Sequence, residues 1–450
     1  MTGVQTCALP ICALAGALAT SYYFVSALGV DATFKVAALG NLIAGVGALA
    51  WPRPASPRPE AAVGHERGTP ASDEQRLVLA AFGVSGFTSL ALEVVWFRAL
   101  IMFVPATTYA FTLILATVLA GIALGSAGAT AWLRRQRDWF WVLAWLEVGI
   151  GVSAAASLAT LGWVFARGWT DTSLGAASVA VLPPAVLMGA AFPIGLACWT
   201  GSPDGGGDTG RRIGQFYIVN LGGAILGSIA SGFFLIPLFG TRASLLAIAA
   251  LSLLAGLVLA FARRQTQSAR VVGLTAVGLV AFVTVAIAVP DPLHAVLSRR
   301  YRGERLLWLE EGVQTTVSIQ ERRGRRIMYL NGLHQADDTP EVRGLHRMIG
   351  TLAMVLHPAP RAALVVGLGG GVTAGAVAQF PQTDVDVVEL SNTVIKGASW
   401  FAEVNDHVLE RPNVHVRVDD GRDFLAGTRR RYDVITADLI QPYKIGRAHV

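Results

Sequence analysis

Three acids in this chain stand where the strands of a ligand-binding sheet would end. Glu389 follows Val385–Val388, Asp420 follows Val414–Val418, and Asp438 closes Tyr432–Ala437. In doubly wound sheets, ligands lie beyond the carboxyl ends of the strands, so the three acids fall where chemistry is done. The first has the clearest companion. Val365-Val366-Gly367-Leu368-Gly369-Gly370-Gly371 reads as a buried strand and a glycine turn, with Glu389 about 20 residues beyond it. Gly367, Gly369 and Gly371 would let the backbone approach a nucleoside-like ligand, and Glu389 would accept hydrogen bonds from its ribose hydroxyls. The plainer alternative is a tight turn that binds nothing.

The elements that must position these residues alternate between strand and helix. Thr315–Ile319 and Arg326–Leu330 alternate like a hairpin around Arg323-Gly324. Asn331–Gln335 leaves that hairpin, and a helix is expected from Glu341 to Leu356, stopped by Pro358. Strands at 363–367, 385–389, 414–418 and 432–438 then enclose helices at 372–379 and 391–404, with Ser391 as an N-cap. This predicts a doubly wound parallel α/β domain behind a small β hairpin region.

Most of the chain is built differently. Its 450 residues are 53% hydrophobic and 15% charged, outside the habit of soluble domains. Nine apolar runs are read as membrane spans, near 12–29, 33–50, 77–103, 107–131, 139–165, 174–200, 215–238, 242–261 and 271–290. The division predicted is a multi-span α-helical domain over 12–290 and a water-soluble domain over 291–444. The ends, 1–11 and 445–450, read as translated sequencing-adapter sequence, which would leave the soluble domain incomplete at its C-terminus. Cys7, Cys12 and Cys198 form neither a metal-ligand pattern nor a disulfide framework, and no metal cluster is evident.

Arginines cluster in alternate loops: Arg53, Arg58, Arg67 and Arg76; Arg134, Arg135 and Arg137; Arg211 and Arg212; Arg263, Arg264 and Arg270. The positive-inside rule assigns these loops to the cytoplasm, which with nine spans puts the soluble domain outside. The cytoplasmic origin of nucleoside cofactors argues the other way, and one re-entrant span would reverse the count. The side therefore stays open. The net charge of +6 is accounted for by these loops against anionic lipid and calls for no nucleic acid. Glu93 and Arg98 sit inside one apolar span, with Glu147 and Asn220 in others. They are candidates for substrate passage, or for helix–helix pairing and snorkelling.

From about residue 304 to 444 the chain resembles the spermidine synthase (polyamine aminopropyltransferase) family, of the S-adenosylmethionine methyltransferase-like fold. With its apolar front it resembles the bacterial membrane-fused class, described as major-facilitator-like/spermidine synthase fusions. The resemblance is carried by Asn331-Gly332 with Gln335, His357-Pro358, Gly367–Gly371, Val388–Ser391, Asp419–Arg422 and Tyr432–Ile435 with Asp438 and Pro442. It implies a multi-pass protein of the bacterial inner membrane that transfers an aminopropyl or related group from decarboxylated S-adenosylmethionine, or S-adenosylmethionine, to a small amine. Glu389 would hold the ribose, Asp420 the adenine amino group, and Asp438 would take the proton of the attacking amine. Gln335, His346 and Gln441 would face the substrates.

The chain also departs from the family. Gly370 stands where the glycine turn usually carries an aspartate, Gln441 replaces a second aspartate, and Leu345 and Arg347 flank His346 in place of a tyrosine and an acid. A polyamine pocket needs carboxylates to replace lost hydration. These changes argue against ordinary putrescine recognition. A carrier or sensor with a non-catalytic adenosyl-binding domain is the rival reading.

Overall fold

The computed structural model describes residues 4–50, 71–101, 108–133, 135, 137–166, 173–201, 209–288 and 303–437. Among them are seven continuous helical stretches long and apolar enough to cross a bilayer, where nine separate spans were expected. The difference lies at two glycines. α1 (Val4–Ala19) runs through a π-helical turn into α2 (Val25–Ala50), with a break at Gly29, whose φ is 75°. α7 (Thr209–Ala230) runs through a π-helical turn into α8 (Ile236–Ala262), broken at Gly240 with φ 78°. Between these pairs come α3 (Asp73–Leu100), α4 (Thr108–Trp132), α5 (Trp139–Ala166) and α6 (Ser173–Thr200), and α9 (Arg264–Ala288) closes the series.

The 54-residue stretch Thr209–Ala262 would reach roughly 80 Å if straight, far beyond a hydrocarbon core of about 30 Å. Its contacts show that it doubles back. Asn220 lies against Gly86 and Gly227 against Phe87, and the Ser231 hydroxyl donates to the carbonyl of Ala91, so the chain climbs beside α3. Past Gly240 it descends along the same helix, since Ser252 bonds Thr88 and Arg263 reaches Glu74. A left-handed residue without a β-carbon permits that reversal. A Cβ on Gly86, Gly223 or Gly227 would collide with backbone of the facing helix, which is how α3 and α7 pack so closely.

The bundle therefore has two distinct ends. At one, Ser72 caps α3 through a capping box with Gln75, Arg263 pairs with Glu74 and Asp138, and Trp199 bonds the carbonyl of Arg212. At the other, Arg242 donates to the carbonyl of Ala286, and the soluble domain attaches. Thr241 donates its N–H to Glu311 at 2.9 Å, and Arg98 donates to the carbonyl of Gly312. Arg98 is thus spent at the junction, while Glu93 stands half-buried on α3.

The soluble part opens with an antiparallel sheet, β1 (Arg305–Glu311), β2 (Thr316–Arg322), β3 (Arg325–Leu330) and β4 (Leu333–Asp337), in that order. The sequence reading found only the middle hairpin. β1 carries a run of apolar residues rather than an alternation, and β4 is short and polar. Both tight turns, Arg323-Gly324 and Asn331-Gly332, hold two successive residues at positive φ, the geometry that suits a two-residue hairpin.

After α10 (Pro340–Val355) comes the parallel sheet. β5 (Ala362–Val366), α11 (Val372–Val377), β6 (Asp384–Glu389), α12 (Asn392–Ala398), β7 (Val414–Val418), α13 (Gly421–Gly427) and β8 (Val434–Ala437) form a four-stranded sheet ordered β7-β6-β5-β8. The strands lie within two residues of their predicted bounds. The helix expected over 391–404 is shorter: α12 ends at Ala398 and passes into a 3-10 turn. Strand order reverses between β6 and β8, on either side of β5, and that switch point is where ligands bind.

One buried charge organises this sheet. Asp386 of β6 accepts hydrogen bonds from Tyr432 (2.6 Å) and Arg430 (2.9 Å), and Arg430 also bonds Asp384. Burial, then the bond to Asp386, pushes the Tyr432 phenol up to about 12. Because that value lies above the usual ~10, its stabilising effect is complete below pH ~10 and is lost as pH rises through about 12. Ultraviolet titration of the full chain should show one phenol ionising late, and Tyr432→Phe should remove that component; a titration unchanged by the substitution would refute the assignment.

Candidate functional site

The glycine turn between β5 and α11 is shaped by three residues with positive φ: Gly367 (86°), Gly369 (53°) and Gly371 (83°). It is held from below by Glu389. One carboxylate oxygen accepts the N–H of Leu368 at 2.8 Å, and the other accepts the N–H of Ser391 at 3.0 Å. Glu389 is buried, at 8% exposure, and ties the end of β6 to the turn after β5. Each oxygen retains a lone pair, so the carboxylate can still accept hydroxyl donors. Ser391 occupies the N-cap position of α12, but its side chain makes no capping bond. Glu389 satisfies its backbone instead.

The roof of the turn is equally constrained. Asn405, 1% exposed, donates from one amide nitrogen to the carbonyls of Gly370 and Ala398, both at 3.0 Å. A Cβ at Gly375 would strike the Asn405 carbonyl at 2.1 Å, and one at Gly370 would press on Ala336 at 3.1 Å. An aspartate at position 370 would need β4 to give way. That contact is a physical reason for glycine there.

A cavity opens above the turn, lined by Gln335, Asp337, His346, Phe401 and the backbone of 368–373. It brings together Gln335 and His346 from the predicted set with Gly369 and Gly371. Gly367 and Glu389 lie beneath, and Asp420 stands apart at the end of β7. Asp420 is exposed and caps α13, accepting from the N–H groups of Arg422 and Asp423. Asp438 and Gln441 lie outside the described residues.

Three residues of this site went unnoticed in the sequence. Asn405 and Phe401 lie far along the chain from the turn they touch, and no local pattern marks them. Asp337 is the cavity's carboxylate. Burial acts to raise its pKa, but the hydroxyl and N–H of Thr339 and the ring of His334 outweigh that and hold it below the usual carboxylate range. Its charge contributes stability above pH ~4, lost as pH falls through the lowered value. Arg347 does not line the cavity. It makes a two-point pair with Asp406, at 2.7 and 2.8 Å, outside the cavity lining. The described residues contain no group of His, Cys, Asp and Glu placed to hold a metal.

Comparison with known proteins agrees with this architecture. Residues 343–449 match the spermine/spermidine synthase domain. A polyamine aminopropyltransferase from Corynebacterium efficiens is 28% identical over 244 residues, 52% of this chain and 46% of that protein. One from Nitrosomonas europaea is 32% identical over 120 residues, 26% of this chain and 37% of that protein. The crystal structure of spermidine synthase from Thermotoga maritima is 21% identical, with a TM-score of 0.28, and covers 30% of this chain and 47% of its own. The chain thus spans about half, or less, of each relative. Its C-terminal part has a parallel α/β architecture. It is a spermidine synthase (polyamine aminopropyltransferase) domain, preceded by multiple long apolar helices.

Two substitutions test the clamp and the roof separately. Glu389→Ala should leave two buried N–H groups unpaired, costing about 2–4 kcal/mol, and abolish nucleoside binding. Asn405→Ala should cost about 1–3 kcal/mol through the orphaned carbonyls and weaken binding through loss of turn geometry. Hydrogen exchange across 364–376 reads both; unchanged protection in either variant would contradict the corresponding role.

Proposed function

We propose that this chain is a membrane-bound transferase that binds an adenosyl sulfonium donor above the glycine turn and passes an aminopropyl or related group to an amine. The observation that carries this reading is the convergence of the Glu389-clamped turn, Gln335 and His346 on one cavity, within a domain homologous to aminopropyltransferases. Glu389 takes the ribose hydroxyls on its remaining lone pairs, and Asp420 the adenine amino group. The sulfonium carbon is already activated, so the protein's task is to position the amine and receive its proton. Asp438 is assigned that proton. Asp337, held ionised beside Gln335, supplies a negative charge for a cationic acceptor where the family's usual acids are replaced.

Incubation of the complete protein with decarboxylated S-adenosylmethionine and a panel of amines should release methylthioadenosine. Asp438→Asn should lower turnover by about 10²–10⁴-fold while leaving donor affinity within a few-fold. Clear donor binding with no release for any amine would replace this reading with its rival.

That rival, a carrier or sensor whose adenosyl domain does not turn over, is favoured by one observation. The soluble domain docks on the end of the bundle opposite the arginine-rich loops, since Glu311 bonds Thr241 whereas Arg263 and Arg212 stand at the other end. The helices supply a multi-pass membrane anchor. By the positive-inside rule the arginine-rich end faces the cytoplasm and the adenosyl cavity faces away from it. In a background without native cysteines, Arg343→Cys should react with an impermeant maleimide in intact cells, and Arg135→Cys only after permeabilisation. The reverse pattern would put the cavity on the cytoplasmic side and remove the case for the rival.

A further inference from the structure

The helical bundle contains a carboxylate that the adenosyl chemistry does not use. Glu147, on α5, is completely buried, and neither of its side-chain oxygens has a hydrogen-bond partner of normal geometry. It lies about two turns inside the start of α5 at Trp139. The Ser85 hydroxyl of α3 faces it. One turn further along α3, Thr88 bonds the Ser85 carbonyl and receives a hydrogen bond from Ser252 of α8 at 3.0 Å. Three hydroxyls from two helices therefore form one cluster, of which the Ser85 hydroxyl faces Glu147.

Among the described residues, no cation is placed to neutralise it. Within the described residues of α6 there is no charged side chain, and in α5 Glu147 is alone. On α8, Arg242 is engaged at the far end with the Ala286 carbonyl. On α9, Arg270 stands in the groove beside Trp141 and Trp145 and bonds Gln267, and Arg264 begins the helix. On α3, Asp73, Glu74 and Arg76 lie in the first turn, Glu93 is half-buried further along, and Arg98 is bonded to Gly312. Arg263, just past α8, is paired with Glu74 and Asp138. A bare carboxylate in such a place carries a desolvation cost that no partner offsets, whereas a carboxylic acid is accommodated by hydroxyl neighbours. Ionisable groups inside membrane helices are retained where they move protons or solutes.

We propose that Glu147 is a proton-binding site of the bundle, occupied by an exchangeable proton in the packed arrangement, with Ser85, Thr88 and Ser252 as its hydroxyl lining. The carboxyl takes up one proton and becomes neutral; when the bundle admits water or a cationic solute, the same proton leaves and the charge appears. This gives the helices a proton-linked activity of their own, independent of whether the soluble domain is a transferase.

The test uses the complete chain in phospholipid vesicles and dicyclohexylcarbodiimide, an apolar reagent that adds to protonated carboxyl groups. The expected result is an N-acylurea adduct on the peptide containing Glu147, forming more slowly as the pH is raised from mildly acidic to mildly alkaline. Glu147→Gln should lose the adduct while keeping its helical circular dichroism. Glu147→Asp should keep a pH-dependent adduct. Absence of any adduct from the folded wild-type protein would overturn the proposal. So would a labelling rate indifferent to pH, as expected of a permanently protonated structural group.

Discussion

The α/β half of this protein depends on one buried carboxylate. Glu389 ends β6, yet its oxygens bind the N–H of Leu368, in the turn after β5, and the N–H of Ser391, at the head of α12. Two strands and a helix are thereby fixed relative to one another by charge-assisted bonds, each worth about 1.5–3 kcal/mol. Without the clamp, three left-handed glycines within five residues would leave the turn free to wander, because glycine loses the most conformational freedom on folding. A carboxylate so occupied is also oriented before any ligand arrives. Orientation in advance is what makes a hydrogen-bonding group effective in recognition.

Much of this was legible in the sequence. A strand, a glycine turn and an acid about 20 residues on is a local pattern, with each part imposed by backbone geometry. Gln335 and His346 were placed through likeness to a family, and both line the cavity. What escaped notice is non-local. Asn405 meets Gly370 across 35 residues, and Arg347 meets Asp406 across 59, so neither pairing leaves a trace in a short window. The Arg347 pair matters most, because it shows an arginine beside the expected pocket bonded to Asp406 outside the cavity lining.

The helical half shows the opposite balance. Composition alone located the apolar segments, because backbone satisfaction inside a bilayer leaves few options but helix. Composition did not reveal that α7 and α8 are one helical stretch folded at Gly240, or that both flank α3. Those facts lie in the small residues. Gly83, Gly86, Gly223 and Gly227 let α3 and α7 approach until backbone meets backbone, and Gly240 supplies the reversal. The doubled path sets Arg212 and Arg263 at one end of the bundle and the α/β domain at the other.

The junction between the halves is short and continuous. Glu311 at the end of β1 accepts the N–H of Thr241, directly after the Gly240 reversal, while Gly312 accepts from Arg98 of α3. The same Gly312 lies so close to Thr393 that a Cβ there would stand 2.1 Å from its hydroxyl oxygen. Thr393 belongs to the first turn of α12, two residues beyond the Ser391 N–H that Glu389 holds. A single tight turn thus touches α3 and α8 on one side and the helix behind the clamp on the other. The geometry therefore places one tight turn in contact with both the bundle and the helix behind the glycine turn.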